Sequence, residues 1–242
     1  MHAFKRTMRG IGVKLLIVFL LAALPAAAAP LIAVDVGHSF AKPGATSARG
    51  VPEFEFNLRL ARAVAAELET AGYAVRLVGA DGLADDLFRR PQEAADAALF
   101  LSLHHDSVHE RYLRAWQHEG VARRHSEANR GYSLFLSSRN PREARSLFCA
   151  QSIGYRLRQE GVERSQYHLR NVSGANHPVA NRAAGVLYYD KLIVLRTAAV
   201  PAVLFEAGVI INRQEEALLS ADPYRARLAT AVAQGVRDCV MQ

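Results

Sequence analysis

Polar side chains suited to metal chemistry follow three apolar runs in this sequence. They are His38 after residues 31–36, His104 and His105 after residues 98–103, and Glu206 after residues 201–205. Two imidazoles and one carboxylate form a common three-ligand zinc site that leaves a coordination position for water. A second carboxylate beside that water would act as a general base, so these residue types indicate metal-dependent hydrolysis. The alternative is that each histidine is a hydrogen-bonded structural group and that Glu206 caps the helix after it.

Two choices within this set stay open on the residues alone. The remaining carboxylate lies at the start of the first predicted helix and is either Glu53 or Glu55. His104 and His105 cannot both face one metal if strand geometry continues through them, because consecutive strand residues point to opposite faces. One histidine of that pair is therefore available to a metal.

Alternating strands and helices are the elements that must bring these side chains together. Short apolar runs predict strands at residues 31–36, 73–78, 98–103, 131–138 and 201–205. Helical spacing predicts helices at residues 53–71, 90–97, 141–159, 213–219 and 223–239, whereas residues 161–190 are irregular. We therefore predict a single α/β domain, with a mainly parallel twisted sheet of about five or six strands and helices on both faces. Ligand sites in such folds gather at the carboxyl ends of the strands, where the polar residues lie.

The N-terminal segment has the composition of an export signal. Four basic residues without an acid precede an apolar run at residues 15–24, and small residues follow it. We predict a secretory signal peptide at residues 1–28 rather than a retained anchor, because the run is too short to span a bilayer comfortably. The mature catalytic domain is then residues 29–242, periplasmic or extracellular, with no stable membrane anchor.

Removal of that segment changes the charge of the protein. The full chain has 30 lysines and arginines against 23 acids, a net charge of +7, and loss of four positive charges leaves 26 against 23, or +3. This small excess, with no recognised nucleic-acid motif, argues against a nucleic-acid partner. An anionic envelope polymer or membrane surface is compatible with it.

The two cysteines, Cys149 and Cys239, lie on predicted helices. An oxidising compartment permits a disulfide between them. Two buried thiols that pack without bonding are the alternative.

Five segments carry a resemblance to a known family. They are IAVDVGHSFAKPGA, GVPEFEFNLRLARAVAAELETAGYAVRLV, ALFLSLHHDS, GYSLFLSS and LIVLRTAAVPAVLFEAGVIIN. In this order, over roughly residues 31–240, the chain resembles the zinc-dependent N-acetylmuramoyl-L-alanine amidases, cell-wall hydrolases of the amidase-3 type. The ordered combination is specific, although D-x-G-H or S-x-H alone is a weak pattern.

That resemblance implies a set of zinc ligands. The histidine of D-x-G-H is His38, and the histidine of S-x-H is His104. The glutamate of E-x-x-x-N-L is Glu53, because Asn57 follows it at the right distance, whereas Glu55 does not fit. The implied cofactor is Zn²⁺.

The resemblance also implies a reaction and a catalytic residue. Glu206 matches the acid/base of V-L-x-E-x-G, and the reaction is hydrolysis of the amide between N-acetylmuramic acid and the L-alanine of the stem peptide. His105 takes a position where the family usually has a small residue, so it either packs or faces substrate. Asp35 either orients a ligand or braces the strand end.

Several alternatives stay open. Fold and metal set do not fix the scissile bond, so a zinc peptidase acting on cell-wall peptides is one alternative, and a non-catalytic peptidoglycan-binding or regulatory protein is another. Residues 108–130 form a longer basic, aromatic link than usual, which either grips substrate or is a solvated excursion. Some relatives carry an inhibitory helix after the fourth strand, for which this sequence has no room. We expect a monomer that acts on peptidoglycan without an activator.

Overall fold

The computed structural model describes residues 1–2, 28–127, 129–172, 174 and 176–241. The predicted signal peptide lies outside the described residues except at its two ends. Within the described ranges, no helix combines the length and the apolar character that a membrane crossing requires.

The described chain alternates strands and helices as the apolar pattern predicts. The strands are β1 (Leu31–Val36), β2 (Ala74–Val78), β3 (Leu99–Asp106), β4 (Arg114–His118), β5 (Val121–His125), β6 (Ser133–Leu136), β7 (Val179–Asn181), β8 (Val186–Tyr188) and β9 (Ala202–Val209). The helices are α1 (Glu53–Thr70), α2 (Arg89–Gln92), α3 (Glu143–Gln159), α4 (Gln166–Leu169), α5 (Ile193–Thr197), α6 (Arg213–Ser220) and α7 (Asp222–Val240). A short 3-10 turn, Glu110–Tyr112, precedes β4.

Seven strands form one central sheet in the order β2-β1-β3-β9-β6-β8-β7. The β1–β2, β1–β3, β3–β9 and β6–β8 pairs are parallel, and the β6–β9 and β7–β8 pairs are antiparallel. The single α/β domain with a mainly parallel sheet is confirmed. The predicted strand number of five or six is too low, because β7 and β8 lie within the stretch that the sequence pattern leaves irregular.

Helices cover both faces of this sheet, as predicted. Strand alternation sends Ile32 and Val34 into a large core beneath α1, α3 and α7, while Ala33 packs on the opposite face with residues of α5 and the segment after α2. Each fully buried isoleucine or leucine in these cores contributes about 2 kcal/mol through removal of apolar surface from water. The central strands, whose carboxyl ends carry the polar residues, are therefore packed between the two cores.

A disulfide joins α3 to α7 on the larger helical layer. Cys149 and Cys239 are both buried, with their Cα atoms 4.9 Å apart. Of the two alternatives left open by the sequence, the structure contains the bonded pair.

Within the link at residues 108–130, residues 114–125 form a β-hairpin. Strands β4 and β5 pair in antiparallel register around Glu119 and Gly120, which both have positive φ angles, 50° and 76°. Two such residues make the turn that best matches the twist of a hairpin. Trp116 anchors the hairpin, since its Nε1–H donates to the carbonyl of Ala48 at 3.1 Å.

Candidate active site

Three neighbouring parallel strands deliver the candidate residues to one edge of the sheet. In the sheet order β1 adjoins β3 and β3 adjoins β9, so their carboxyl ends meet. His104 and Glu206 are register partners on adjacent strands, and they share the face of the sheet that bears α5. His38 follows β1 within two residues, and Glu53 begins α1.

Helix α1 holds Glu53 because of how that helix starts. Pro52 precedes its first turn, and the acidic residues Glu53 and Glu55 lie where the positive end of the helix dipole favours them. Glu53 is 4 % exposed, whereas Glu55 is exposed to solvent. Of the two carboxylates left open by the residues alone, only Glu53 points to the cluster.

His38, Glu53 and His104 come together around the carboxylate of Glu53. Glu53 Oε2 lies 3.0 Å from His38 Nε2, and Glu53 Oε1 lies 3.0 Å from His104 Nδ1. One donor atom from each residue lies within 4.8 Å of the other two. This donor set of two imidazoles and one carboxylate is the type that holds Zn²⁺ with an open position.

Glu53 is the hydrogen-bonding centre of the cluster. It accepts hydrogen bonds from the backbone N–H of Ala45 at 3.0 Å, from Asn57 Nδ2 at 3.2 Å and from the backbone N–H of His105 at 3.2 Å. Burial acts to raise the pKa of Glu53, but the hydrogen bonds and charges of His104 and His38 outweigh it and hold the pKa well below 4.5. Glu53 is therefore a fixed anion.

Glu206 has the opposite surroundings. Its Oε2 is buried and has no hydrogen-bond partner among the described residues. Burial raises the pKa of Glu206 well above 4.5, and the negative charges of Asp106 and Glu53 raise it further. A carboxylate with a free buried oxygen beside a metal-type cluster is suited to proton transfer.

His105 points away from the cluster, as strand alternation requires. Strand β3 continues through both histidines, and His105 is 3 % exposed on the α1 side. Its Nδ1 lies 2.7 Å from Asn57 Oδ1, and its ring packs against Phe56. Burial lowers the pKa of His105 to about 3, so the ring is neutral. The packing role considered for His105 is the one observed.

Two close backbone approaches allow the cluster to form. A Cβ at Gly37 would collide with the ring of His104, and a Cβ at Gly44, whose φ is 78°, would collide with Glu53 and His38. His38 itself has a φ of 71°, a left-handed conformation that costs a non-glycine residue about 1 kcal/mol. The loop is thus shaped to aim His38 at Glu53.

A buried ion pair stabilises the loop that carries His38. Asp35 accepts hydrogen bonds from Arg90 Nη1 and from Ser102 Oγ, each at 2.6 Å. Arg90, 2 % exposed, also donates to the backbone carbonyls of Val36 and His38. Asp35 makes no hydrogen bond to the three clustered side chains within the described chain, so its bracing role is the one observed.

Sequence reasoning missed Arg90 and the full role of Asn57. Arg90 lies in a helical patch where an arginine is normally solvated, and its partner Asp35 is 55 residues away. Asn57 has a local signal, because it follows Glu53 by one helical turn and shares its face. It donates to the carbonyl of Gly37 at 3.1 Å and so ties α1 to the loop of His38.

The stretch at residues 161–190 also reaches the site. His168, on α4, places its Nε2 2.8 Å from Oδ2 of Asp106, the last residue of β3. His177 packs near His168, with ring centroids 5.4 Å apart. Irregular local sequence hides this contact, because it depends on α4 folding back over the strand ends.

A cleft of about 280 Å³ opens beside both clustered histidines. Gly37, His38 and His104 form one wall. An apolar wall is lined by Leu87, Leu192, Ile193, Val194 and Leu204, and Lys42, Asp85 and Arg90 also line the cleft. A substrate can therefore approach the cluster from the α5 side, with apolar groups against that wall.

Comparison with known proteins agrees with this geometry. The family model for N-acetylmuramoyl-L-alanine amidases, Amidase_3, matches residues 32–238, nearly all of the chain after the predicted signal peptide. The chain belongs to this family. The predicted enzyme class is thereby confirmed: the protein is an N-acetylmuramoyl-L-alanine amidase that acts on peptidoglycan.

Curated relatives of this amidase share about a quarter of its residues. The amidase AmiA of Salmonella typhimurium is 25% identical over 217 residues, which cover 85% of this chain and 74% of that protein. The amidase AmiC of Neisseria meningitidis is 26% identical over 234 residues, which cover 86% of this chain and 52% of that protein.

Solved structures show the same fold. Ami1 of Mycobacterium smegmatis, an N-acetylmuramyl-L-alanine amidase, superposes with a TM-score of 0.70 at 18% identity, over 89% of this chain and 99% of its own. The catalytic domain of CwlV from Bacillus (Paenibacillus) polymyxa superposes with a TM-score of 0.65 at 24% identity, over 86% and 97%. The predicted fold class is confirmed by both.

Proposed function

We propose that this amidase is an exported zinc enzyme that hydrolyses the amide between N-acetylmuramic acid and the L-alanine of the stem peptide. His38, Glu53 and His104 would hold the zinc ion, and Glu206 would be the catalytic acid/base. The observation that carries the proposal is the convergence of two imidazoles and one anionic carboxylate within 4.8 Å, beside a second carboxylate with a free oxygen.

The residues present fit a zinc ion on their chemistry. Glu53 stays ionised, and each imidazole offers a ring nitrogen on the same side as its carboxylate oxygens. The set carries one negative charge, which leaves a bound Zn²⁺ with net positive charge. Zinc supplies Lewis-acid activation of a carbonyl group and of water.

Residues of the chain do the remaining chemistry. Glu206 lies across the strand pair from His104, and its unpartnered Oε2 accepts the proton of the attacking water. The same oxygen then donates that proton to the leaving amine of L-alanine, so no covalent intermediate with the protein forms. The apolar wall that includes Ile193 excludes bulk water from the acyl side of the substrate.

Export, location and independence from an activator belong to the same proposal. The basic and apolar N-terminal pattern supports export to the periplasm or the cell exterior. The Cys149–Cys239 disulfide supports an oxidising compartment. Between β6 and α3 the chain has residues 137–142, too few for a helix that reaches the site, which supports activity without an activator.

Product analysis tests the scissile bond directly. Purified peptidoglycan is digested with the mature chain, and the released fragments are identified by mass spectrometry. We expect intact stem peptides with a free L-alanine amine, together with glycan that retains unsubstituted lactyl carboxyl groups. Cleavage within the stem peptide would instead identify a zinc peptidase, and the absence of any release would favour the non-catalytic alternative.

A further inference from the structure

A second cleft, of about 350 Å³, lies between the β4–β5 hairpin and the loop that precedes Glu53. Its walls continue directly from the elements that build the site. Residues 45–47 lead into α1, Ser107 follows β3, and Ile211 follows β9. Ala45, in this wall, is also the residue whose N–H binds Glu53. The cleft therefore adjoins the metal-type cluster through Ala45.

Arg123 lines this cleft from the hairpin side. Its Nε is buried and has no hydrogen-bond partner in the part of the chain that the structure describes. Its guanidinium packs against Gly50, where a Cβ would collide with it. The guanidinium is therefore held by packing at the edge of the cleft while its charge lacks an acceptor, so the position favours an acceptor that enters through the cleft.

Two neighbouring arginines already have acidic partners. Arg49 pairs with Glu216 at 2.5 Å, and Arg124 pairs with Glu110 at 3.7 Å. Arg123 makes no ion pair with any described acidic residue. The hairpin thus presents one half-buried guanidinium, held in place by packing and without a counter-ion, next to the cluster.

We propose that Arg123 binds a carboxylate of the peptide half of the substrate. The planar guanidinium matches a carboxylate with two parallel hydrogen bonds. The inference rests on the proposed function, because hydrolysis at L-alanine is what brings the stem peptide beside the cluster. The glycan half is unsuited, since its N-acetylated sugars are neutral and the lactyl carboxyl group is consumed in the scissile amide. The negative charges of the substrate lie in its peptide.

A pair of substrates isolates this contact. One muramoyl peptide has a free carboxylate on the residue after L-alanine, and in the other that carboxylate is a carboxamide. We expect the unmodified enzyme to prefer the carboxylate by about 10- to 100-fold in kcat/KM, the range for a charge-assisted hydrogen bond. Arg123→Gln should lose this preference, so that its kcat/KM values for the two substrates become about equal. Arg114→Gln removes an exposed arginine of the same hairpin outside the cleft and should keep the preference.

A binding measurement separates this inference from the proposed reaction. Calorimetric titration of the free stem peptide, with and without the carboxamide, requires no turnover. If the carboxylate peptide binds more tightly to the unmodified chain but not to Arg123→Gln, the cleft assignment holds even where no amide is cleaved. Retention of the preference by Arg123→Gln, or an equal loss on both peptides, would overturn it. Should Arg123→Gln not fold, Arg123→Lys is the second variant. It keeps the positive charge but cannot make two parallel hydrogen bonds, so it should reduce the preference for the carboxylate.

Discussion

The start of α1 and the carboxyl end of β9 each bring one carboxylate to His104, but the surroundings of the two carboxylates are opposite. Glu53 accepts three N–H hydrogen bonds and contacts two imidazoles. Glu206 has an oxygen without a partner in the described chain, and the charges near it are negative. Burial acts to raise the pKa of both, yet the net pKa of Glu53 is lowered and that of Glu206 is raised.

This difference shows how one residue type serves two roles at adjacent positions. A carboxylate that accepts several N–H hydrogen bonds and faces two imidazoles stays ionised and can hold a cation between them. A carboxylate that lacks such bonds has a lone pair and a proton affinity available for chemistry. Environment, rather than residue identity, separates the proposed ligand from the proposed acid/base.

Replacing Glu53 should have the largest effect. In Glu53→Gln the negative charge between the two imidazoles is lost, so we expect both bound zinc and amidase activity to disappear. Zinc content by atomic emission and turnover of peptidoglycan are measured on the same sample. Glu55→Gln, two residues along the same turn but exposed, is the matched control and should keep both. Full zinc content in Glu53→Gln would refute the ligand assignment.

Replacing Glu206 should separate metal binding from catalysis. Glu206→Gln keeps the shape of the side chain and leaves Glu53, His38 and His104 untouched, so zinc content should stay at the unmodified level. Loss of the proton-transfer group should lower kcat by about 10²- to 10⁴-fold. Comparison of kcat and zinc content against Glu53→Gln tests the division of roles. A fall in zinc content with Glu206→Gln would mean that the two carboxylates are not distinct.

Removing Asn57 should weaken metal binding while leaving Glu206 in place. Asn57 is fully buried and bonds Glu53, His105 and the carbonyl of Gly37. Loss of a residue that orients a ligand typically costs 10- to 100-fold in metal affinity, and we expect that range for Asn57→Ala. Zinc affinity is measured by competition with a chelator. A variant saturated with zinc should recover most of its kcat, which a loss of catalytic groups would not allow.

The sequence predicts the parts of the fold that have long local signals. Strands β1, β3 and β9 are continuous apolar runs that end in polar motifs, and α1 has a helical apolar face bounded by Gly72. These four elements carry His38, Glu53, His104 and Glu206. The convergence of these residues at one edge of the sheet was therefore predictable, because each lies at or next to the end of a strongly patterned element.

The remaining parts depend on tertiary contacts or weak local signals. Strands β7 and β8 are three residues each, too short for a periodic pattern. The β4–β5 hairpin is rich in arginine, and its turn has Glu119-Gly120 in place of the more recognisable Asn-Gly or Asp-Gly. The available signal was that two strand-length runs are separated by two residues, the second of which is glycine. Arg123 is placed by the pairing of that hairpin, so no local pattern identifies it.

A third buried carboxylate, Glu215 on α6, lies between the two extremes. Its oxygens accept the N–H groups of Gly131 at 2.7 Å and Val209 at 2.9 Å. Burial raises its pKa from 4.5 to about 7, although these two hydrogen bonds oppose the rise. Glu215 therefore resembles Glu53 in that its oxygens accept hydrogen bonds, and it resembles Glu206 in that its pKa is raised.

Its titration should make stability fall as pH rises. Below pH 4.5 Glu215 is protonated in both the folded and the unfolded chain, and above that value the unfolded chain releases the proton while the folded chain keeps it up to about pH 7. The free energy of unfolding should thus decrease by up to ~3 kcal/mol across that window and then level off. Denaturant unfolding of the unmodified chain and of Glu215→Gln, at about pH 5 and about pH 8, measures the difference. The variant should lack this component of the slope; identical slopes in the two proteins would show that the backbone N–H groups keep Glu215 ionised, as they help to do for Glu53.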